Sequence, residues 1–299
     1  MAMNEKIRLI IDTDPGQDDA AAILAAHGLA RRGLVDFLGM TVVAGNVGID
    51  LAAKNARIVC DWAGEKDFPV YAGAVKPLLR ELETAEAVHG KTGLDGTALH
   101  EPRCPLQKQH AVAYLVETLS RAEDASMTLC PIGPLTNIAL ALSIAPEAVR
   151  AIKRIVLMGG NYFEAGNMTP AAEFNFFTDP HAAQIVLQSG APITVLPLDV
   201  THKAQITSER MNRLRRLKNA NGSRLADIFC KVTNVSTFSS LAWKAARCTT
   251  LAPSSAPCSP NCFQAGCAVW MWRRKADCPP ARAPSIGTAR PAKRPMRFG

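Results

Sequence analysis

Asp12, Asp14, Asp18 and Asp19 put four carboxylates within eight residues, in the stretch Ile10-Ile11-Asp12-Thr13-Asp14-Pro15-Gly16-Gln17-Asp18-Asp19-Ala20. An apolar run precedes them and an apolar helical pattern follows, so they fall on a strand-to-helix turn. Four like charges gathered there raise one another's pKa values and weaken the fold that holds them. A helix starting near Asp18 supplies roughly half a positive charge at its first turn, too little for four acids. A hard divalent cation, Ca2+ or Mg2+, suits such an all-oxygen set. The plainer alternative makes Asp18 or Asp19 a helix cap and leaves the other acids in solvent.

Strands and helices alternate beyond this turn. Residues 7–12 read as a buried strand, 18–31 as a helix, 35–43 as a strand closed by Ala44-Gly45-Asn46, 49–62 as a helix and 69–72 as a short strand. Residues 74–108 are irregular and long for a plain connection, which marks a candidate functional loop. There follow a helix over 109–122, a strand over 127–132 and the turn Gly133-Pro134-Leu135-Thr136-Asn137 into a helix. A strand over 152–158, a helix opened by Asp179-Pro180, a strand over 193–198 and a basic surface helix over 207–218 complete the pattern. Asp at the cap and Pro in the first turn are the expected opening of a helix.

This alternation predicts an α/β fold: a largely parallel open sheet with helices on both faces, and a Rossmann-like core. Ligands bind such sheets at the carboxyl ends of the strands. Asp12, Asp14, Asn46, Thr136, Met158 and Asp199 lie at those ends and are expected to converge. Singly, Asn46 also reads as a left-handed turn residue after Gly45, and Thr136 as a helix N-cap.

Composition separates the chain into two parts. The net charge of +8 misleads, because ten bases and one acid, Asp277, lie from Thr237 onward and leave the first 236 residues at about −1. A basic nucleic-acid surface is therefore not implied for the body. Cys60, Cys104, Cys130 and Cys230 are scattered and read as ordinary buried thiols, whereas Cys248, Cys258, Cys262, Cys267 and Cys278 crowd the tail without a paired C-x-x-C. No run of about twenty apolar residues indicates a membrane span. The N-terminus leads into a strand with no signal-peptide pattern, which makes the cytoplasm the expected location.

The later blocks complete a resemblance. Asp12 to Asp19 is similar to the N-terminal signature of the inosine-uridine preferring nucleoside hydrolases. Gly45-Asn46, Gly133 to Asn137, Met158-Gly159-Gly160 and Asn167-Met168-Thr169-Pro170-Ala171-Ala172-Glu173-Phe174-Asn175 resemble that family's further blocks in the family's order. The resemblance implies hydrolysis of the N-glycosidic bond of ribonucleosides with a bound Ca2+. It implies Asp14 and Asp19 as carboxylate ligands of the metal, Thr136 as a ligand through its backbone carbonyl, and Asp14 as acceptor of a proton from the attacking water. It implies Asp18, Asn46, Asn167, Glu173 and Asn175 on the ribose hydroxyls, Met158 near the sugar and Asp12 orienting the others. A small-molecule ribonucleoside is then the partner, with no nucleic acid or membrane, in a homo-oligomer of two or four chains. Two alternatives stand beside it. One is a non-catalytic ribose or nucleoside binder. The other is a Mg2+ phosphohydrolase built on an Asp12/Asp14 strand-end pair, as in the haloacid dehalogenase type, where the Asn167–Asn175 block has no obvious task.

The resemblance breaks near residue 230. The family's Gly-Gly-Pro-Leu-His-Asp-Pro block, whose Asp completes the metal shell and whose His lies by the leaving base, is missing. Leu241 to Pro253 stands there instead. Codons can be chosen for this peptide that read, two bases later, as Gly-Leu-Glu-Gly-Gly-Pro-Leu-His-Asp-Pro-Cys-Ala. Gly266 to Arg273 shifts similarly into a Leu-Cys-Gly-Val-Asp-Val-Glu-like strand. A frameshift, real or from sequencing, beginning near residues 230–240 is the reading, with a basic binding arm or a degenerate zinc site as the alternative for the tail. It divides the chain into an α/β domain over 1–235, incomplete at its C-terminal side, and an out-of-frame, poorly ordered basic tail over 236–299. Weak metal binding, low stability and impaired turnover are expected to follow.

Overall fold

Consecutive apolar residues at 9–11 cannot alternate between core and solvent, so both faces of that strand must be covered. The computed structural model describes residues 6–234 and shows how. The out-of-frame reading, and the domain boundary drawn from it, concern a tail that lies outside the described residues.

In chain order the elements are β1 (Ile7–Thr13), α1 (Gln17–Arg31), β2 (Val35–Val42), α2 (Ile49–Ala63), β3 (Val70–Ala72), α3 (Glu86–His89), α4 (Ala111–Arg121), β4 (Met127–Pro131) and α5 (Thr136–Ile144). A short 3-10 helix (Pro146–Ala151) leads to β5 (Ile152–Met158), α6 (Phe174–Thr178), α7 (Pro180–Leu187), β6 (Ile193–Leu196), α8 (Leu198–Thr201), α9 (Ser208–Arg216) and α10 (Ala220–Asn234). The six strands form one sheet in the order β3-β2-β1-β4-β5-β6, and every pairing is parallel. The chain runs outward from β1 to β3, then returns to lay β4 on the other side of β1. That reversal is a topological switch point, where the connections diverge and leave a crevice at the strand tips. In register, Asp12 lies opposite Thr41 on β2 and Pro131 on β4, which brings the three tips level.

Ile10 packs with Leu115, Leu119, Ile138 and Val186, from α4, α5 and α7. Its neighbour Ile11 faces the opposite layer, with Ala22, Ala26 and Leu29 of α1. Both are fully buried, each contributing about 1.5–3 kcal/mol to the core. Alongside them Met40 and Val42 pack on Ala56 and Val59 of α2.

Four details differ from the sequence pattern. The last strand stops at Leu196, because Pro197 has no N–H to extend the ladder, and a single helical turn, α8, follows. The long 74–108 connection contains one helical turn, α3. Neither α6 nor α10 has a clear local signal. The basic helix is present as α9, capped by Thr207, whose hydroxyl accepts from Arg210 N, with no residue buried. Among the described residues no helix is long and apolar enough to cross a membrane.

Candidate active site

Side chains alternate along a strand, so Asp12 and Asp14 leave β1 toward one side and Thr13 toward the other. Asp12 Oδ1 accepts from Thr41 Oγ1 at 2.6 Å and from Asn137 Nδ2 at 2.8 Å. Its Oδ2 is buried and has no partner. Asp14 Oδ2 accepts from the backbone N of Asn46 at 2.7 Å, and Asn46 Nδ2 returns a bond to the Asp14 carbonyl at 2.9 Å. On the other side, Asp19 accepts from Thr13 Oγ1 at 2.7 Å and from Gly16 N at 3.0 Å, which fixes the first turn of α1.

Two glycines make room for Asp14. A Cβ at Gly45 would sit 2.1 Å from Asp14 Oδ2, and one at Gly133 would sit 2.5 Å from Asp14 Oδ1. Both contacts lie far inside van der Waals distance, so any side chain there displaces the carboxylate. Gly45→Ala should therefore displace the Asp14 carboxylate and break its bond to Asn46 N in a protein that still folds, so the Asn46 amide should exchange with solvent about tenfold faster than in the parent; equal protection would refute this.

Burial dominates the electrostatics. It pushes the Asp12 carboxyl up to about 7 against the pull of Thr41 and Asn137. Asp14 is raised well above the ordinary carboxylate range, first by burial and then by the charge of Asp19, with Asp18 adding to it. Asp19 rises to about 7 through burial and the charge of Asp18. Across the crevice, burial raises Glu173 to about 7 although backbone N–H groups favour its anion. Burial is the largest influence on each of the four.

The second wall comes from the tips of β4 and β5 and from the segment before α6. Asn175 Nδ2 donates to the carbonyls of Ile132 and Met158, each at 3.1 Å, and reaches Met158 Sδ at 3.4 Å. Glu173 Oε2 accepts from Gly160 N at 2.8 Å and Phe176 N at 3.2 Å. Asn167 is half-buried, and its Oδ1 is buried without a partner. Thr136 is buried at the start of α5 and donates from Oγ1 to Asp179 at 2.7 Å. A continuous set of contacts therefore runs from Asp14 past Gly133 and Ile132 to Asn175, Met158, Gly160 and Glu173. Asp18 stays half-buried at the rim.

Several sequence alternatives are overturned. Asn46 is not left-handed: the non-glycine residues with positive φ among those described are Ala125 and Lys218. Thr136 does not cap α5, since Leu135 occupies that position. Asp199 does not join the acid turn; its carboxylate accepts from the backbone N of Tyr162, Phe163 and Glu164 at 2.8–3.2 Å and holds that loop. His89, which the sequence leaves open as a residue near the base or a plain loop position, reaches the site. A Cβ at Gly16 would lie 2.5 Å from His89 Nδ1 and 3.1 Å from Asn46 Nδ2. Burial lowers the imidazole's pKa against the charge of Asp18, which favours the neutral ring. Gln17 ties it down, hydrogen-bonded to its Nδ1 and donating from Nε2 to its carbonyl at 3.0 Å. Gln17 and Asn137 are the residues sequence reasoning left without a task. Their signal was position alone, inside the acid turn and at the end of the Gly-Pro-Leu-Thr-Asn turn.

A cation fits this donor set by its chemistry. The oxygens are hard, buried and acidic, and Asp12 Oδ2 is orphaned. The carboxylates do not form a complete cage: among the described residues no group of three or more His, Cys, Asp or Glu is placed to hold a metal. Ca2+ takes six to eight oxygens, so Asp14 and Asp19 would supply part of a shell that backbone, water and substrate oxygens complete.

A doubly wound parallel sheet with buried acids at its switch point defines a ligand-binding α/β enzyme class. The family model for inosine-uridine preferring nucleoside hydrolases matches residues 9–255. An uncharacterized protein of Schizosaccharomyces pombe is 49% identical over 216 residues, covering 72% of this chain and 69% of its own length. The pyrimidine-specific ribonucleoside hydrolase RihB of Escherichia coli is 42% identical over 224 residues, covering 75% and 70%. Among solved structures, the purine-preferring ribonucleoside hydrolase from Gardnerella vaginalis aligns with a TM-score of 0.72 at 31% identity, over 76% of this chain and 72% of that one. The chain belongs to the inosine-uridine preferring nucleoside hydrolases, a family of nucleoside N-ribohydrolases.

Proposed function

We propose that this site cleaves the N-glycosidic bond of ribonucleosides to free base and ribose with the help of a Ca2+ ion at the Asp14–Asp19 turn. The observation that carries the proposal is the burial at one sheet edge of Asp12, Asp14, Asp19 and Glu173, all with raised carboxyls. A buried acidic crevice is a poor home for isolated anions and a good one for positive charge. Cleavage of a ribosyl C–N bond develops an oxocarbenium-like sugar, which fixed carboxylates stabilise as its charge appears.

Asp14 and Asp19, with the Thr136 carbonyl, would hold the ion, and Ca2+ bound there would acidify nearby water. Asp14 takes the proton of the attacking water, since a carboxylate held beside the cation is placed to accept it. Asp18, Asn46, Asn167, Glu173 and Asn175 hold the ribose hydroxyls, since acids and amides supply the paired acceptors and donors that a diol needs. The orphaned Asn167 Oδ1 supports its share of that role. Met158 packs against the sugar. The relatives include both pyrimidine-specific and purine-preferring enzymes, so the proposal extends to ribonucleosides as a class.

Turnover by the chain as written is proposed to be weak. Leu241 to Pro253 provides neither the carboxylate that would complete the shell nor an acid for the leaving base. Hydrolysis of inosine, uridine and cytidine, measured beside calorimetric titration with ribose, tests the reading. Ca2+-dependent ribose binding with slow base release is expected. Ribose binding with no base release, even after frame restoration, would make the protein a binder. Release of phosphate from a phosphomonoester would overturn the assignment.

A further inference from the structure

Asp179 looks at first like a plain helix cap. Its Oδ1 accepts from Ala182 N at 3.0 Å at the start of α7, as the Asp-Pro opening predicts. Capping needs one oxygen and one N–H, and Ser or Asn serves as well. The other oxygen has a different occupation. Oδ2 accepts from Thr136 Oγ1 at 2.7 Å and from Leu78 N at 2.9 Å, and Leu78 lies 101 residues away along the chain. The residue is fully buried, so these bonds are made without competition from water.

We infer that Asp179 is a positioning residue that sets the Thr136 turn, the start of the 74–108 loop and the Glu173–Asn175 segment against one another. Thr136 opens α5 at the tip of β4. Leu78 lies near the start of the loop that carries His89 to Gly16. The Asp179 backbone N donates to the Asn175 carbonyl at 3.4 Å, closing α6 directly behind Glu173 and Asn175. Neighbouring contacts fix the same loop on either side: Ala74 N donates to Asn137 Oδ1 at 2.8 Å, and the Arg80 guanidinium lies 4.2 Å from the Phe177 ring centroid. Asp179 touches all three segments, the Thr136 turn and the loop through its side chain and the Asn175 segment through its backbone.

Chemistry explains why a carboxylate stands there. Three donors reach it from two sides, and an ionised carboxylate accepts on both oxygens. An asparagine has one acceptor oxygen. It satisfies either the Thr136–Leu78 side or the α7 side and turns an NH2 toward a donor on the other.

The inference rests on the proposal that these segments line a ribose and Ca2+ pocket, and its test separates the two. The full chain is compared with Asp179→Ser, which keeps a capping hydroxyl too short to reach Thr136 and Leu78, and with Asp179→Asn. Hydrogen exchange is followed over 75–80 and over α7, and Ca2+ half-saturation is followed by calorimetry. In Asp179→Ser the Leu78 amide should exchange at least about tenfold faster with α7 still protected, and half-saturation should rise about tenfold. Asp179→Asn should fall between, and it is the variant to read if the serine chain does not fold. Unchanged exchange at Leu78, or equal loss over Ala182–Leu187, reduces Asp179 to a cap and overturns the inference. If the parent binds neither Ca2+ nor ribose, the pocket proposal falls, and Leu78 exchange still decides the role of Asp179.

Discussion

In the presence of a chelator, the protein should become less stable as the pH rises from 6 to 8. Asp12, Asp19 and Glu173 have carboxyls raised to about 7 by burial, from ordinary values of 3.8, 3.8 and 4.5. In the unfolded chain these groups are already ionised at pH 6; in the folded chain they still hold their protons. The folded state thus binds more protons, and its advantage is present at low pH and lost as the pH climbs through about 7. One pH unit of slope from each of three groups amounts to about 3–4 kcal/mol, a large part of the roughly 5–15 kcal/mol that holds a domain together. For a body of this size that is a fall in melting temperature of about 10 °C. His27 works in the opposite direction at lower pH: burial lowers it to about 4, so stability falls as acid protonates the unfolded imidazole below about 6.5. Between about pH 4.5 and 6.5 three carboxyls act against this one imidazole, so net stability declines with rising pH across that span as well. Millimolar Ca2+ should flatten the alkaline limb, because it binds only after the carboxylates ionise. Melting curves at pH 6, 7 and 8 with chelator and with Ca2+ measure this directly. Stability that rises with pH in chelator, or a slope that Ca2+ leaves untouched, would remove the physical basis for a cation at this turn.

The parts of the site that were legible in the sequence are those with a local cause. Asp12 and Asp14 fall two apart on an apolar strand, so a period of two puts them together at its tip. Asn46 and Thr136 follow strand ends, and parallel pairing carries strand ends to one edge. Long-range partnerships have no such trace. Nothing around Leu78 announces that its amide pairs with Asp179, and Asn137 gives no local sign that it bridges Asp12, the Val42 carbonyl and Ala74 N. The missed helices have a different explanation. Near the start of α10, Asn221-Gly222-Ser223 are residues of weak helix preference. Packing overrides that preference: Ala226 and Ile228 are fully buried, and Ile228 joins the cluster with Ile23 and Val59. In α6, Phe174, Phe176 and Phe177 suggest a strand, yet Glu173 caps the segment by accepting from Phe176 N. A residue proposed for ribose thereby also starts the helix that places Asn175.

The largest effect should come from restoring the reading frame. DNA sequencing across codons 225–260 should show a shift of frame, and the corrected chain should hydrolyse inosine or uridine at least about 10³-fold faster than the chain as written. A positioned general acid alone accounts for 10²–10⁴-fold, and a further carboxylate on the metal adds to it. An intact single frame, or a written chain already as fast as the corrected one, would end the out-of-frame reading. In the corrected chain Asp14→Asn gives the sharper test, because two effects of opposite sign should appear together. The amide keeps an oxygen for Asn46 N but cannot take a proton from water, so turnover should fall by about 10²–10⁴-fold. The same change removes one of the crowded buried charges. Without metal at pH 8 the variant should therefore be more stable than its parent, and it should gain less from Ca2+. A residue needed only for folding would lose stability along with activity. Loss of activity with a gain in metal-free stability is expected only of a carboxylate kept for the cation and the water it serves.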